Sequence, residues 1–375
     1  MNFIILKFPF SSTKGGGEIH TFNLCDHLIT QGHSVELISS CPVLIEEFKK
    51  RNWKYTPYSL GKEPVTPIHA LLFLFKRKFL KLKLTRVLSQ KHKETPVDAL
   101  LCLSLTEKCL SLGRFLKKRK IKWIWLEHVL IDRWLTQNPL RFWYRKNATQ
   151  AKIITVSNCI QKQLRSILVP PTSIEVIWHG IRIPQKEKNP PKPTHSFYKN
   201  KFVIGTACRL HKEKGVHDLI LAVRNIAEIR ESLYVLIVGE GPEKNNLTWL
   251  AKQHKLDKII RFTGWQEPVR SWIQKMNVFV LPSYRESFGL VLLEAFKEKV
   301  PVIATRTGGI PEVVEHEQTG LLYPPGEHER LSQYLILLAR NLKLRQKLTQ
   351  NAYCQLKNRF SEEKMWSKYD AIIQS

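Results

Sequence analysis

The chain has 375 residues, 43% of them hydrophobic and 25% charged, with a formal net charge of +28. This length accommodates two domains of ordinary size, each with its own core, and the apolar fraction excludes a disordered polyelectrolyte. The excess of cations is a surface property that requires an anionic partner, and nucleic acid, an anionic membrane and a phosphorylated ligand all satisfy it.

The N-terminal run MNFIILKFPFSSTKGGG has neither a basic n-region nor a long apolar h-region, so 3–6 is expected to be a first core strand and not part of a signal peptide. Gly15, Gly16 and Gly17 follow as a loop. Ile19, Phe22, Cys25, Leu28 and Ile29 then recur at helical spacing up to Gly32, which stands where a helix C-cap belongs, and 34–39 reads as a second strand. From Lys76 to Lys93 the chain carries lysine and arginine with no acid, while Leu72, Phe75, Phe79 and Leu82 share one helical face. A basic amphipathic helix over 72–93 results. Its stripe either lies on an anionic membrane surface, helped by Lys117, Lys118, Arg119, Lys120 and Lys122, or packs on the N-terminal sheet with its charges solvated. No run reaches the roughly 20 apolar residues of a transmembrane helix. His128 follows a strand-like run through Trp125, Leu126 and Glu127.

The segment 183–200 holds Pro184, Pro190, Pro191 and Pro193 among charged residues and reads as a linker. Beyond it, strands are expected over 202–207, 234–238, 259–262, 278–281 and 301–304, with helices over 216–226 and 286–298. This alternation specifies an α/β protein with two doubly wound parallel sheets, whose ligands bind beyond the C-terminal strand ends, in the cleft between the domains. A last helix over 362–373, with Ser361 as N-cap, gathers Met365, Trp366, Tyr369, Ile372 and Ile373 on one side.

Chemistry concentrates at a few places. The glycine triplet at 15–17 lets a backbone approach a phosphate or serves as a plain turn, and its spacing is that of neither the dinucleotide fingerprint nor the P-loop. Arg209 and Lys214 follow the 202–207 strand, where two cations can neutralise a departing diphosphate. Thr307-Gly308-Gly309-Ile310-Pro311-Glu312 follows the 301–304 strand, with Pro311 suited to the first turn of a helix. Glu286-Ser-Phe-Gly-Leu-Val-Leu-Leu-Glu294 reads as a helix N-capped by Ser287, which puts Glu286 at the positive end of the helix dipole. Along one helix the two acids stand roughly 12 Å apart, against roughly 5 to 9.5 Å between the carboxyls of glycoside hydrolases. Two acids gripping opposite ends of one long ligand fit that spacing. The seven cysteines are scattered without a C-x-x-C pair, and the thirteen histidines show no zinc-ligand spacing, which suits a reduced cytoplasmic protein without a metal site.

The order Gly-Gly-Gly-Glu18, Arg209 with Lys214, Val238-Gly-Glu-Gly-Pro242, Phe262-Thr-Gly264, Pro282-Ser283 ahead of Glu286 and Glu294, then Thr307-Gly-Gly309 resembles the family 4 retaining glycosyltransferases of the GT-B fold. The resemblance implies two Rossmann-like domains facing each other across a cleft. An acceptor-binding domain would span 1–182, a linker 183–200 and a nucleotide-sugar-binding domain 201–358, with 359–375 forming a helix that crosses back to the N-terminal domain. It also implies a hexosyl or N-acetylhexosaminyl transferase of cell-surface polysaccharide or lipopolysaccharide synthesis, which needs no metal or cofactor and takes a UDP- or GDP-sugar. Its acceptor would be a saccharide or a lipid-linked sugar.

By the same resemblance Glu286 would contact hydroxyls of the donor sugar and Glu294 the ribose. Arg209 and Lys214 would bind the diphosphate with the amides of Leu290 and Val291, and Gly264, Ser287, Phe288 and Gly289 would complete the donor site. Gly16 and Gly17, next to Gly15, would approach phosphate or acceptor, and His128 would stand beside the transferred sugar. Two departures from the family pattern are Cys208, where a glycine often precedes the arginine, and Trp178-His179-Gly180 in place of Pro-Asn-Gly. A GT-B sugar-nucleotide epimerase, a non-catalytic sugar-nucleotide-binding protein and a basic nucleic-acid-binding protein are the rival readings. The last has no zinc finger, RNP pattern or helix-turn-helix to support it, so no nucleic acid is expected as a partner. A cytoplasmic protein, peripheral on the inner face of the inner membrane, is the expected location.

Overall fold

The computed structural model describes residues 1–9, 15–183, 201–226 and 232–374, so the expected linker over 183–200 lies outside the described residues apart from Ile183. Two compact units divide the chain, Met1–Ile177 and Trp178–Ser375.

In the N-terminal unit seven strands form one sheet: β1 (Asn2–Lys7), β2 (Ser34–Ser39), β3 (Lys54–Pro57), β4 (Ala99–Cys102), β5 (Lys122–Glu127), β6 (Lys152–Thr155) and β7 (Ile174–Val176). They run parallel in the order β3-β2-β1-β4-β5-β6-β7. Phe3, Ile4, Ile5 and Leu6 of β1 are all buried. A continuous apolar run in place of alternation is what a parallel sheet covered on both faces demands. The order reverses between β1 and β4, the kind of switch point where a doubly wound sheet opens a crevice. The first helix, Gly16–Thr30, ends as expected at Gly32, whose N–H and that of His33 close onto the carbonyls of Ile29 and Leu28.

The basic helix runs over Pro67–Glu94 with Thr66 as its N-cap. Ala70, Phe73, Leu80, Leu84 and Leu88 are its buried face. The stripe of Leu72, Phe75, Phe79 and Leu82 points the other way, joined by Ile68 and Leu71, and Phe75 is 81% exposed. Packing of that stripe on the sheet is thereby overturned, because a second apolar row half a turn away takes that place.

The C-terminal unit repeats the design with β8 (Phe202–Ala207), β9 (Leu233–Val238), β10 (Ile260–Gly264), β11 (Val278–Leu281), β12 (Val302–Thr305) and β13 (Leu321–Tyr323). All are parallel in the order β10-β9-β8-β11-β12-β13, with the switch between β8 and β11. Their core includes Ile204, Val235, Ile237, Val278, Val280 and Ile303 against helix residues Leu219, Ile220, Leu335 and Leu338. The last helix, Glu362–Gln374, belongs to this unit by its contacts and buries Met365, Trp366, Tyr369 and Ile373. Ser361 caps it through the Lys364 N–H, and its N-terminus meets the 178–181 turn, where Gly180 N lies 3.1 Å from Met365 Sδ and Glu362 N donates to Ile181 O.

Candidate active site

The site of the C-terminal unit forms at its switch point, beyond the ends of β8 and β11. After β8 come Cys208 and Arg209, then a short 3-10 turn, Lys212–Lys214, that leads into the helix Val216–Arg224. After β11 come Pro282, Ser283, Tyr284 and Glu286. The two loops are joined by the Tyr284 N–H, which donates to Glu213 O at 2.8 Å, and by His217, whose ring stacks on Tyr284 with Nε2 3.2 Å from the hydroxyl. Lys214 Nζ then meets Glu286 Oε2 at 2.8 Å, with both side chains mostly buried. Arg209, five residues before Lys214 in sequence, is exposed.

A third loop braces this pair. At the end of β12 Thr305 Oγ1 donates to Ser283 O, and beyond it Thr307 Oγ1 donates to Tyr284 O at 3.0 Å and the Gly309 N–H to Glu286 O at 2.9 Å. Gly308 has φ +54, and a Cβ there would stand 1.9 Å from Glu286 O, so only glycine permits this approach. Pro311 sits in the first turn of the helix Ile310–Val313, as expected.

The helix expected over 286–298 is shorter, Leu290–Lys297, and its N-cap is Gly289, not Ser287. Gly289 has φ 94, a left-handed conformation that serine resists and glycine adopts freely. Glu286 therefore lies upstream of the helix in the bracing loop, and the 12 Å spacing argued from helical rise does not apply. Leu290 and Val291 open the helix, where first-turn amides lack intrahelical acceptors. Phe288 is buried and contacts the His179 ring at 5.4 Å, while Trp178 Nε1 donates to Glu312 Oε2 at 2.8 Å. The Trp-His-Gly departure is thus absorbed by packing on the two glycine-containing loops.

Electrostatics separates the charged groups. Burial opposes the charge of Lys214, but the Glu286 carboxylate more than offsets it and leaves the ammonium pKa above its usual value. Burial pushes Glu294, in the second turn of its helix, up to about 7, with Lys297 pulling it down and Glu298 pushing it further up. Burial likewise raises the Cys208 thiol to about 11, against the nearby Lys214 charge, so this departure adds no thiolate to the site at neutral pH. Gly264 ends β10, two strands from β8, with its carbonyl accepting from Gly239 N at 2.8 Å.

The N-terminal unit has its own cluster. Gly15 is the N-cap of the first helix, so Gly16 and Gly17 belong to its first turn and not to the loop expected there. A Cβ on Gly17 would stand 3.7 Å from His128 Cβ, and the His128 ring lies 4.9 Å from that of His20. Burial drives the pKa of His20 down to about 3, which keeps it neutral. The residue before His128 is anchored deep in the unit: Glu127 Oε1 accepts from Lys108 Nζ at 2.7 Å and from Tyr144 OH at 2.6 Å. Among the described residues no group of three or more His, Cys, Asp or Glu is placed to hold a metal ion.

Sequence reasoning grouped Arg209, Lys214 and Glu286 but missed what braces the segments of Lys214 and Glu286, namely His217, Tyr284 and Thr305. Thr307 stood in a quoted motif without a role. Nothing local signals these partners, since each contact joins segments that are distant in sequence.

Two parallel Rossmann-like sheets, the second carrying a mostly buried cation–carboxylate pair at its switch point, define a two-domain α/β protein. The model of "Glycosyltransferase Family 4" matches residues 14–183 and that of "Glycosyl transferases group 1" matches 187–355. The chain belongs to the family 4 glycosyltransferases. It is 29% identical over 228 residues to N-acetyl-alpha-D-glucosaminyl L-malate synthase of Bacillus anthracis, covering 60% of this chain and 59% of that protein. It is also 29% identical over 173 residues to the lipopolysaccharide core biosynthesis glycosyltransferase LpsE of Rhizobium meliloti, covering 46% of this chain and 50% of that one. These matches span about half to three fifths of the relatives' length. Anabaena HepE, solved in complex with UDP, superposes with a TM-score of 0.81 at 18% identity over all of both chains, which identifies the fold as GT-B.

Proposed function

We propose that this chain is a retaining, metal-independent glycosyltransferase that moves a hexosyl or N-acetylhexosaminyl unit from a UDP- or GDP-sugar to a saccharide or lipid-linked acceptor. The observation that carries the reading is the Lys214–Glu286 pair at the β8–β11 switch point, with Arg209 exposed on the loop that leads from β8 to Lys214. Lys214 and Arg209 receive the diphosphate, assisted by the amides of Leu290 and Val291. Glu286 accepts hydrogen bonds from the sugar, and Glu294 from the ribose. His128 and the Gly15–Gly17 segment are the contribution of the N-terminal unit.

The bond between the anomeric carbon and the phosphate oxygen breaks, and the electron pair leaves with the diphosphate, where the two cations stabilise it. The acceptor oxygen bonds to the same face of that carbon, and its proton passes to the departing phosphate. No protein nucleophile is needed, and configuration is retained. The relatives' names, one of them a lipopolysaccharide core glycosyltransferase, support a role in cell-surface glycan synthesis. In that role the protein works at the cytoplasmic face of the inner membrane, with the exposed stripe on helix Pro67–Glu94 as its contact with anionic lipid and no nucleic acid as partner.

A thermal-shift screen of UDP- and GDP-sugars tests the donor, because a ligand bound only by the folded state raises the melting temperature. Stabilisation by one of them, followed by an α-linked product from an α-linked donor, is expected. No shift with any sugar nucleotide, or an inverted product, would overturn the reading.

A further inference from the structure

The exposed stripe does not end in open surface. Leu82, its last member, also lines a groove of about 540 Å³ between the second half of helix Pro67–Glu94 and the helix Gly113–Lys118 with the residue that follows it. Three cations line this groove, Arg86 and Lys93 from one wall and Arg119 from the other, and its lining contains no acid. Arg119 is held rather than waving: its guanidinium lies 4.0 Å over the Phe115 ring and Nη2 donates to Ser89 Oγ at 3.4 Å. A guanidinium fixed by stacking is preorganised for an oxyanion, because less of its freedom remains to be lost on binding. Gln90 sits on the same wall with its amide turned to Glu94 Oε1 at 3.1 Å, and Lys91 Nζ is taken up by Glu36. The groove cations are thus distinct from the lysine that serves the fold.

The apolar side is equally specific in its placement. Ile68, Leu71, Leu72, Phe75, Phe79 and Leu82 are all exposed on one face over roughly 21 Å of helix, and the opposite face is what packs on the unit. An aqueous surface gains nothing from two exposed phenylalanines in one row, whereas a bilayer interface does. Apolar residues along the helix and a cluster of cations by its end, one of them held in place, match the two layers of an anionic membrane, acyl chains and phosphates.

We infer that this groove is a phospholipid headgroup site: the stripe enters the interface while Arg86, Lys93 and Arg119 close on the phosphate of one anionic lipid. The inference rests on the membrane reading above and adds to it a located, stoichiometric contact where diffuse attraction would otherwise suffice.

The test compares two triple variants of the full chain that lose the same charge. One is Arg86→Gln/Lys93→Gln/Arg119→Gln, in the groove. The other is Lys117→Gln/Lys118→Gln/Lys120→Gln, on exposed positions of the neighbouring basic run. Diffuse attraction alone costs about fivefold per cation and treats both alike. Binding is measured by flotation with phosphatidylcholine vesicles and with vesicles also containing phosphatidylglycerol. The groove variant is expected to lose at least tenfold more affinity for the anionic vesicles than the control, and Phe75→Ser/Phe79→Ser to lose binding to both kinds. Equal losses in the two triples would overturn the headgroup site while leaving membrane binding intact. Absence of wild-type binding to anionic vesicles would overturn both readings. Stabilisation by inorganic phosphate in a chain that ignores vesicles would overturn the lipid source. Should loss of Arg119 unfold the chain, Arg86→Gln/Lys93→Gln against Lys117→Gln/Lys118→Gln makes the same comparison on exposed residues.

Discussion

Lys214 and Glu286, 72 residues apart in sequence, meet at 2.8 Å on the loops that follow neighbouring strands β8 and β11. The ammonium would be disfavoured there alone, since burial opposes its charge and the Glu286 carboxylate is the main influence that returns its pKa above the usual value. The pair leaves the site charge-balanced before a ligand arrives, with Lys214 held where a diphosphate can take over the role of Glu286.

Replacing either partner with alanine is expected to lower kcat for sugar transfer by roughly 10²- to 10³-fold, the range found when one preorganised electrostatic contact is removed. The double variant should lose much less than the product of the two, because each single variant already strands the other charge. Steady-state kinetics with the donor found by thermal shift checks this, and wild-type turnover in either single variant would refute the site.

Glu294 gives a prediction with a definite sign. Its pKa rises from 4.5 to about 7 on folding, so between those values the native state binds the proton more tightly than the unfolded chain, and stability falls as pH rises through the window. Glu294→Gln, which has no charge to bury, should be about as stable as wild type near pH 4.5 and more stable at pH 8, by on the order of 3 kcal/mol as an upper bound. The same variant should bind donor more weakly, since a ribose hydroxyl donates best to a carboxylate. Urea unfolding at the two pH values decides the first point; an equal difference at both would sink it.

How much of this could be read beforehand depends on how local the cause is. The strands were legible because sheets covered on both faces need unbroken apolar runs, as in Phe3 through Leu6 and Leu233 through Val238. The start of the helix Leu290–Lys297 was misplaced by four residues and its cap by two, because serine is the commoner cap, although Gly289 immediately before the apolar run was the better signal. The Lys214–Glu286 pair, the threonine braces and the approach of Gly17 to His128 depend on strand order, which periodicity does not encode. The stripe on the basic helix was read correctly as amphipathic, but its fate turned on Phe73, Leu80, Leu84 and Leu88, a second row that the first one masked.

Glycines at the two units should respond differently to one added methyl. At Gly308 a Cβ collides with Glu286 O, and the backbone there is left-handed. Gly308→Ala must push the Glu286 loop away from Lys214, and at least a tenfold loss in kcat/KM is expected. At Gly17 the nearest contact is an ordinary 3.7 Å to His128, so Gly17→Ala should leave stability within about 1 kcal/mol of wild type. Thermal unfolding and donor kinetics of the two variants check the contrast, and a fully active Gly308→Ala would show that the third loop does not fix Glu286.

The last prediction concerns the anchor beneath His128. Lys108 and Glu127 are nearly inaccessible, at 2% and 5% side-chain exposure, and Lys108 Nζ also donates to Leu126 O at 2.9 Å. Removing the lysine leaves the Glu127 carboxylate buried with only the Tyr144 hydroxyl, so Lys108→Met should destabilise the chain by on the order of 3 to 5 kcal/mol. A Lys108→Met/Glu127→Gln double variant leaves no charge behind, and its amide oxygen can still accept from Tyr144, so it should recover part of that loss despite carrying one more substitution. Urea unfolding measures both. If the double variant is the less stable of the two, the cost lies in packing and not in the stranded charge, and the ion pair is not what holds the end of β5.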